Sequence, residues 1–171
     1  PEAASIDRMR TDIRLLLDYA DDEFDGASFN GPSLMKTLDG LSAEAAADRN
    51  TFEGYSAWDV ALHCLFYKYF IAREFGKAGP LEPYPYEEGN FAERGPTDEG
   101  SWAALRAYMR KAHAVCRDAI ARATDDELAE LVPSWKVSRG KAAAWLAGHD
   151  TYHTAQIRSM GVPGIREPWK R

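Results

Sequence analysis

His149 and His153 lie four residues apart in a segment whose apolar residues recur at helical spacing. On an α-helix that interval puts both imidazoles on one face, with Cβ atoms about 5–6 Å apart, which is the spacing of a chelating pair. Such pairs arise by chance on solvated faces. This one falls in register with Trp145, Leu146, Ile157 and Met160, the stripe expected to face a core. Burying two imidazoles without partners is costly, and a shared ligand compensates. His63 supplies a third imidazole from the middle of another apolar-periodic segment, on a face with Asp59, Phe66, Tyr67 and Phe70. Taken alone, His63 reads as a core histidine bonded to a carbonyl. Taken together, His63, His149 and His153 predict one divalent metal ion inside a helical bundle, where facing helices build such sites. Three neutral imidazoles leave coordination positions open, as in catalytic rather than closed structural centres, and such an ion generates hydroxide near neutral pH or holds a thiolate. Each ligand is expected to bond its second ring nitrogen to a carbonyl, carboxylate or water.

The other residues carry weaker signals. His113, beside an apolar stripe, reads as a partly exposed histidine, or less often as a pocket residue. Asp150 stands about 100° round the helix from His149 and cannot share its face. The stretch from His149 to His153 lacks the glutamate of a zincin, and a di-iron centre needs Glu-x-x-His on two helices, whereas only Asp150 to His153 has even a related spacing. Gln156, three residues past His153, and Tyr67, one turn past His63, are the candidate catalytic groups, with a solvated or capping role open for Gln156. Cys64 and Cys116 are far apart and read as buried, inert thiols. There is no glycine-rich phosphate loop and no Gly-x-Ser-x-Gly elbow.

Four long apolar-periodic windows must position these groups, near residues 5–24, 56–75, 101–123 and 138–160. No strict alternation persists long enough for a half-buried strand. The fold class is therefore all-α, a four-helix bundle with a long crossover connection. Ser56 with Asp59, and Thr124 with Glu127, have capping-box spacing. Short helical pieces are expected near 32–38 and 42–47, and Gly161 with Pro163 ends the last helix. Between Gly76 and Gly100 four prolines forbid a continuous helix, while Tyr84, Tyr86 and Phe91 favour packing on the domain or on a second subunit.

The 171 residues, 45% of them apolar, suit one domain spanning 1–171. With 21 Lys and Arg against 27 Asp and Glu the formal charge is −6, which disfavours a nucleic-acid binder. The longest apolar run, 142–147, is far short of the roughly 18 residues of a membrane span. The absence of a signal-like start, together with only two cysteines, points to the reducing cytoplasm.

The segment Ser56-Ala57-Trp58-Asp59-Val60-Ala61-Leu62-His63, followed by Tyr67-Lys68-Tyr69, and the later His149-Asp150-Thr151-Tyr152-His153-Thr154-Ala155-Gln156-Ile157-Arg158 resemble the DinB-like family in helix order. The family is distinct from the DNA polymerase sharing that name. The resemblance implies a four-helix fold in which His63, His149 and His153 bind nickel or zinc, and it implies a homodimer. It also brings in thiol-dependent transferases and isomerases, such as mycothiol-dependent maleylpyruvate isomerase, and hydrolases. A small-molecule substrate, with a low-molecular-weight thiol as a further partner, follows from it. The chain departs from the family at Ala155, where glycine is usual. Two readings stay open: a metal-dependent thiol transferase or hydrolase, and a non-catalytic bundle that binds a metal or small ligand.

Overall fold

The helix that carries His63 starts at a closed capping box. Asp59 Oδ2 accepts the Ser56 N–H at 2.8 Å, and Ser56 Oγ accepts the Asp59 N–H at 3.1 Å. Arg49 holds the same carboxylate through two hydrogen bonds of 2.9 and 2.8 Å, so the helix start is fixed from both sides. The computed structural model describes residues 10–75 and 83–165. Seven helices are found there: α1 (Thr11–Phe24), α2 (Leu34–Asp39), α3 (Ala43–Ala47), α4 (Ala57–Phe75), α5 (Glu99–Arg122), α6 (Asp125–Ala129) and α7 (Arg139–Ser159). A short antiparallel ribbon, β1 (Leu131–Val132) with β2 (Val137–Ser138), joins α6 to α7.

The four long helices form the expected bundle. α4 packs on α5 and α7, and α1 on α7 and α5, so α1 faces α4 across the diagonal. The passage from α1 to α4 is therefore the long crossover, and it carries α2 and α3. Thr124 and Glu127 complete the second capping box, at α6. Ser138 caps α7 by accepting the Lys141 N–H at 3.2 Å. Gly161, at φ +90°, turns the chain after α7, and a side chain there would meet the Phe52 ring. Among the described residues no helix is long and apolar enough to cross a membrane.

Three expectations need correction. Arg10 has an extended backbone and precedes α1, so this helix begins at Thr11; Ser5, Ile6 and Met9 lie outside the described residues. α5 begins at Glu99, because Asp98 accepts the Ser101 N–H at 2.9 Å and caps the helix two residues earlier than expected. The β1–β2 ribbon was not expected, since two-residue strands are too short for alternation to show. In the long connection, 76–82 lie outside the described residues. From 83 to 98 there is no regular helix; Tyr84 and Tyr86 pack on the core, and Phe91 stacks on His63.

Two apolar clusters fill the bundle. One gathers Trp58, Leu62 and Leu65 of α4 with Trp102, Leu105 and Met109 of α5 and Ile157 of α7. The other gathers Ile13 and Leu17 of α1 with Ile71, Cys116, Ile120 and Leu146. Each fully buried large side chain stabilises the fold by about 1.5–3 kcal/mol. Between the clusters, at the middle of α4, α5 and α7, runs a layer of polar side chains, and the candidate site lies in that layer.

Candidate metal centre

His63 on α4 and His149 and His153 on α7 turn their Nε2 atoms toward one point. His149 Nε2 lies 2.9 Å from His63 Nε2 and 3.1 Å from His153 Nε2. Ligands about 2.0–2.1 Å from a common ion stand about 2.9 Å apart at right angles and about 3.4 Å apart at tetrahedral angles. The observed separations fall within that range.

The proton inventory points the same way. Gln156 Nε2 donates to Glu53 Oε2 at 2.5 Å, which leaves Gln156 Oε1 to accept the His153 Nδ1–H at 2.7 Å. His153 Nε2 is then a bare lone pair. A single proton on His149 Nε2 can serve only one of its two neighbours. Additional protons are disfavoured as well. Burial, reinforced by the neighbouring histidines, pushes His149 down to about 3 and His63 down to about 4, and burial also lowers His153. Three neutral imidazoles with converging lone pairs suit a divalent cation.

Of the second-nitrogen bonds expected, that of His153 is made to a side-chain amide oxygen, Gln156 Oε1. The Nδ1 atoms of His63 and His149 are buried and have no hydrogen-bond partner among the described residues. Aromatic packing orients these rings instead. Phe91 stacks on His63 at 4.7 Å and 14°, and Tyr67 meets His63 and His149 edge-on at 5.0 and 5.2 Å. Phe91 adopts φ +123°, a conformation that costs a side-chain-bearing residue of order 1–3 kcal/mol, and it also stacks on Tyr55 at 4.5 Å.

Behind the histidines lies a buried ionic group that the sequence reading missed. Lys68, fully buried, donates to Asp150 Oδ2 at 2.5 Å and to His113 Nδ1 at 3.2 Å, and its ammonium sits 4.5 Å from the Phe24 ring centroid. Burial raises the Asp150 carboxyl pKa, and the Lys68 ammonium opposes that rise. His113 is thus neither partly exposed nor a pocket residue of this centre. It is buried against Phe24 at 3.9 Å, donates Nε2–H to Asp21 Oδ1 at 2.8 Å, and is pushed down to about 4 by burial and by Lys68. The signal for Lys68 was its spacing: it continues the buried stripe of Ala61, Cys64, Leu65 and Ala72.

Asp150 turns away from His149, as its angular position requires, and bonds to α4. Cys64, His149 and Asp150 also bring ligand atoms within 4.8 Å of one another. Lys68 already holds that carboxylate, and burial raises the Cys64 thiol well above its ordinary value, so the all-histidine set is the better donor set. Cys116 is likewise pushed up to about 12 by burial, and both thiols are free and buried, as expected.

A cavity of about 520 Å³ opens beside His63 and His149, walled by Tyr67, Trp135, Trp145 and Leu146. Trp145 is half exposed at this rim rather than buried in the core stripe. Trp135 comes from the β1–β2 turn, where its N–H and that of Lys136 bond to Val132 O at 3.1 and 2.9 Å. Tyr67 Oη reaches Asn90 Oδ1 at 3.4 Å on the same side, whereas Gln156 stands behind His153.

The family model of the DinB superfamily matches residues 30–157, a span that takes in all three histidines. The chain belongs to the DinB superfamily. No curated protein and no solved structure matches it. The all-α bundle is the fold that membership implies, and the three histidines of this DinB-superfamily chain form a group that could hold a metal ion.

Proposed function

We propose that this DinB-superfamily chain is a metal-dependent enzyme acting on a small molecule, with His63, His149 and His153 as ligands of one divalent ion, nickel or zinc. The observation that carries the reading is the convergence of three neutral Nε2 atoms beside a cavity large enough for a substrate. A divalent ion held there supplies a Lewis acid able to polarise a carbonyl oxygen or to hold a thiolate.

The chain's own residues have separable parts in this. Gln156, anchored by Glu53, keeps the His153 proton on Nδ1 and its lone pair on Nε2. Gln156 is therefore a positioning residue. Phe91 and Tyr67 cover His63 and keep bulk water from its ring. Tyr67 Oη, on the cavity side beside Asn90, is the candidate to pass a proton to a leaving group or to orient a bound oxygen.

The test is turnover of activated esters and of electrophilic alkenes by metal-stripped and metal-loaded protein, with and without a low-molecular-weight thiol. Metal-dependent turnover that requires the thiol assigns a transferase, and metal-dependent hydrolysis without it assigns a hydrolase. Tight metal binding with no turnover of any kind would contradict the enzyme reading and leave a metal-binding bundle.

A further inference from the structure

The cavity beside the histidines carries information about what it holds. Its nine described lining residues include no Lys, Arg, Asp or Glu. Its far wall is flat and aromatic. Trp135 stacks on Phe70 at 4.9 Å and 19°, which fixes the plane of its ring, and Tyr67 and Trp145 stand 5.8 and 6.4 Å from it. Tyr67 Oη, the Asn90 amide and the histidines lie at the other end. A ligand that fits is therefore apolar and planar along most of its length, with one polar function at the histidine end.

We propose that this cavity binds a neutral, planar aromatic small molecule, its ring beside Trp135 and its single polar group toward His63 and His149. In the metal-free form a carboxylate or phosphate placed at the histidine end would meet no Lys or Arg among the described lining residues, at a large desolvation cost. The inference rests on the metal-dependent reading only for the direction of the polar group. Ring binding depends on Trp135, Trp145 and Tyr67 alone. Trp135 is then a specificity-determining residue, presented by the two-stranded ribbon rather than by a bundle helix.

The experiment titrates the full chain, metal-free and zinc-loaded, with 2-naphthol, 2-naphthoate, cyclohexanol and maleate, followed by ligand-observed NMR and calorimetry. The proposal expects 2-naphthol to bind both forms at least tenfold more tightly than cyclohexanol. It also expects 2-naphthol to outbind 2-naphthoate on the metal-free form. Trp135→Leu, which keeps an apolar wall but removes its flat face, should weaken 2-naphthol about tenfold. Circular dichroism and a thermal melt establish that this variant is folded, and Trp135→Phe should recover most of the affinity. Equal binding of 2-naphthol and cyclohexanol, tighter binding of maleate or 2-naphthoate to the metal-free form, or an unchanged 2-naphthol affinity in folded Trp135→Leu would overturn the proposal. The two readings fail separately: zinc binding without 2-naphthol binding defeats this inference alone, and 2-naphthol binding without zinc binding defeats the metal centre alone.

Discussion

Lys68 Nζ and Asp150 Oδ2 meet at 2.5 Å in the middle of the bundle, with Lys68 fully buried and Asp150 1% exposed. Lys68 lies five residues after His63 on α4, and Asp150 directly follows His149 on α7. The pair thus fixes the rotation and register of the two helices that bring the histidines together. Removing one partner leaves a buried, uncompensated charge, which costs about 3–5 kcal/mol. Lys68→Met should lose stability on that scale in urea unfolding, and Lys68→Met with Asp150→Leu should regain most of it. A single variant as stable as wild type would show that the pair does not hold α4 to α7.

Gln156 gives a prediction that separates positioning from ligation. It touches His153 Nδ1 and Glu53 but stands behind the converging nitrogens. Gln156→Ala should keep the fold and all three ligands while lowering metal affinity by about 10–100-fold, as measured by competition with a chromogenic chelator. Gln156→Glu, which can still accept the Nδ1–H, should retain more affinity than Gln156→Ala. Identical losses in the two variants would contradict the hydrogen-bond account.

The pH dependence of the metal-free protein follows from the same burial. In the folded state His63 and His113 titrate at about 4 and His149 at about 3, against about 6.5 when unfolded. Between those values the unfolded chain binds more protons. The stability from keeping these groups neutral is therefore fully present above about pH 6.5 and is lost as pH falls toward 3–4, by at most about 1.4 kcal/mol per pH unit for each proton. The melting temperature of the metal-free protein should fall steadily from pH 7 to pH 4.5, and the extra stability conferred by zinc should shrink over the same interval as protons compete for the ligands. A flat profile would mean that the imidazoles are solvated.

Much of this arrangement was legible in the chain before its structure. The spacing of His149 and His153, the mid-helix place of His63, and the Ser56–Asp59 and Thr124–Glu127 boxes are local patterns set by the 3.6-residue turn, and each is found where that turn puts it. What was illegible depends on contacts between segments. Lys68 reads as a surface residue by type, and only its partnership with Asp150, 82 residues away, makes its burial tolerable. His113 depends likewise on Asp21 and Phe24 of α1. Trp135 and Phe91 reach the site from a two-residue ribbon and a proline-rich connection, where no periodicity marks which way a side chain points.

The most direct test of the metal centre is the zinc and nickel content of the purified chain by elemental analysis, repeated after chelation and reloading, for wild type and for the single variants His63→Ala, His149→Ala, His153→Ala, His113→Ala and Cys64→Ala. The account predicts one divalent ion per chain in wild type, His113→Ala and Cys64→Ala, and a sharp loss of affinity in each of the other three. Full metal at wild-type affinity in His63→Ala, His149→Ala or His153→Ala would contradict it, as would metal lost only with Cys64.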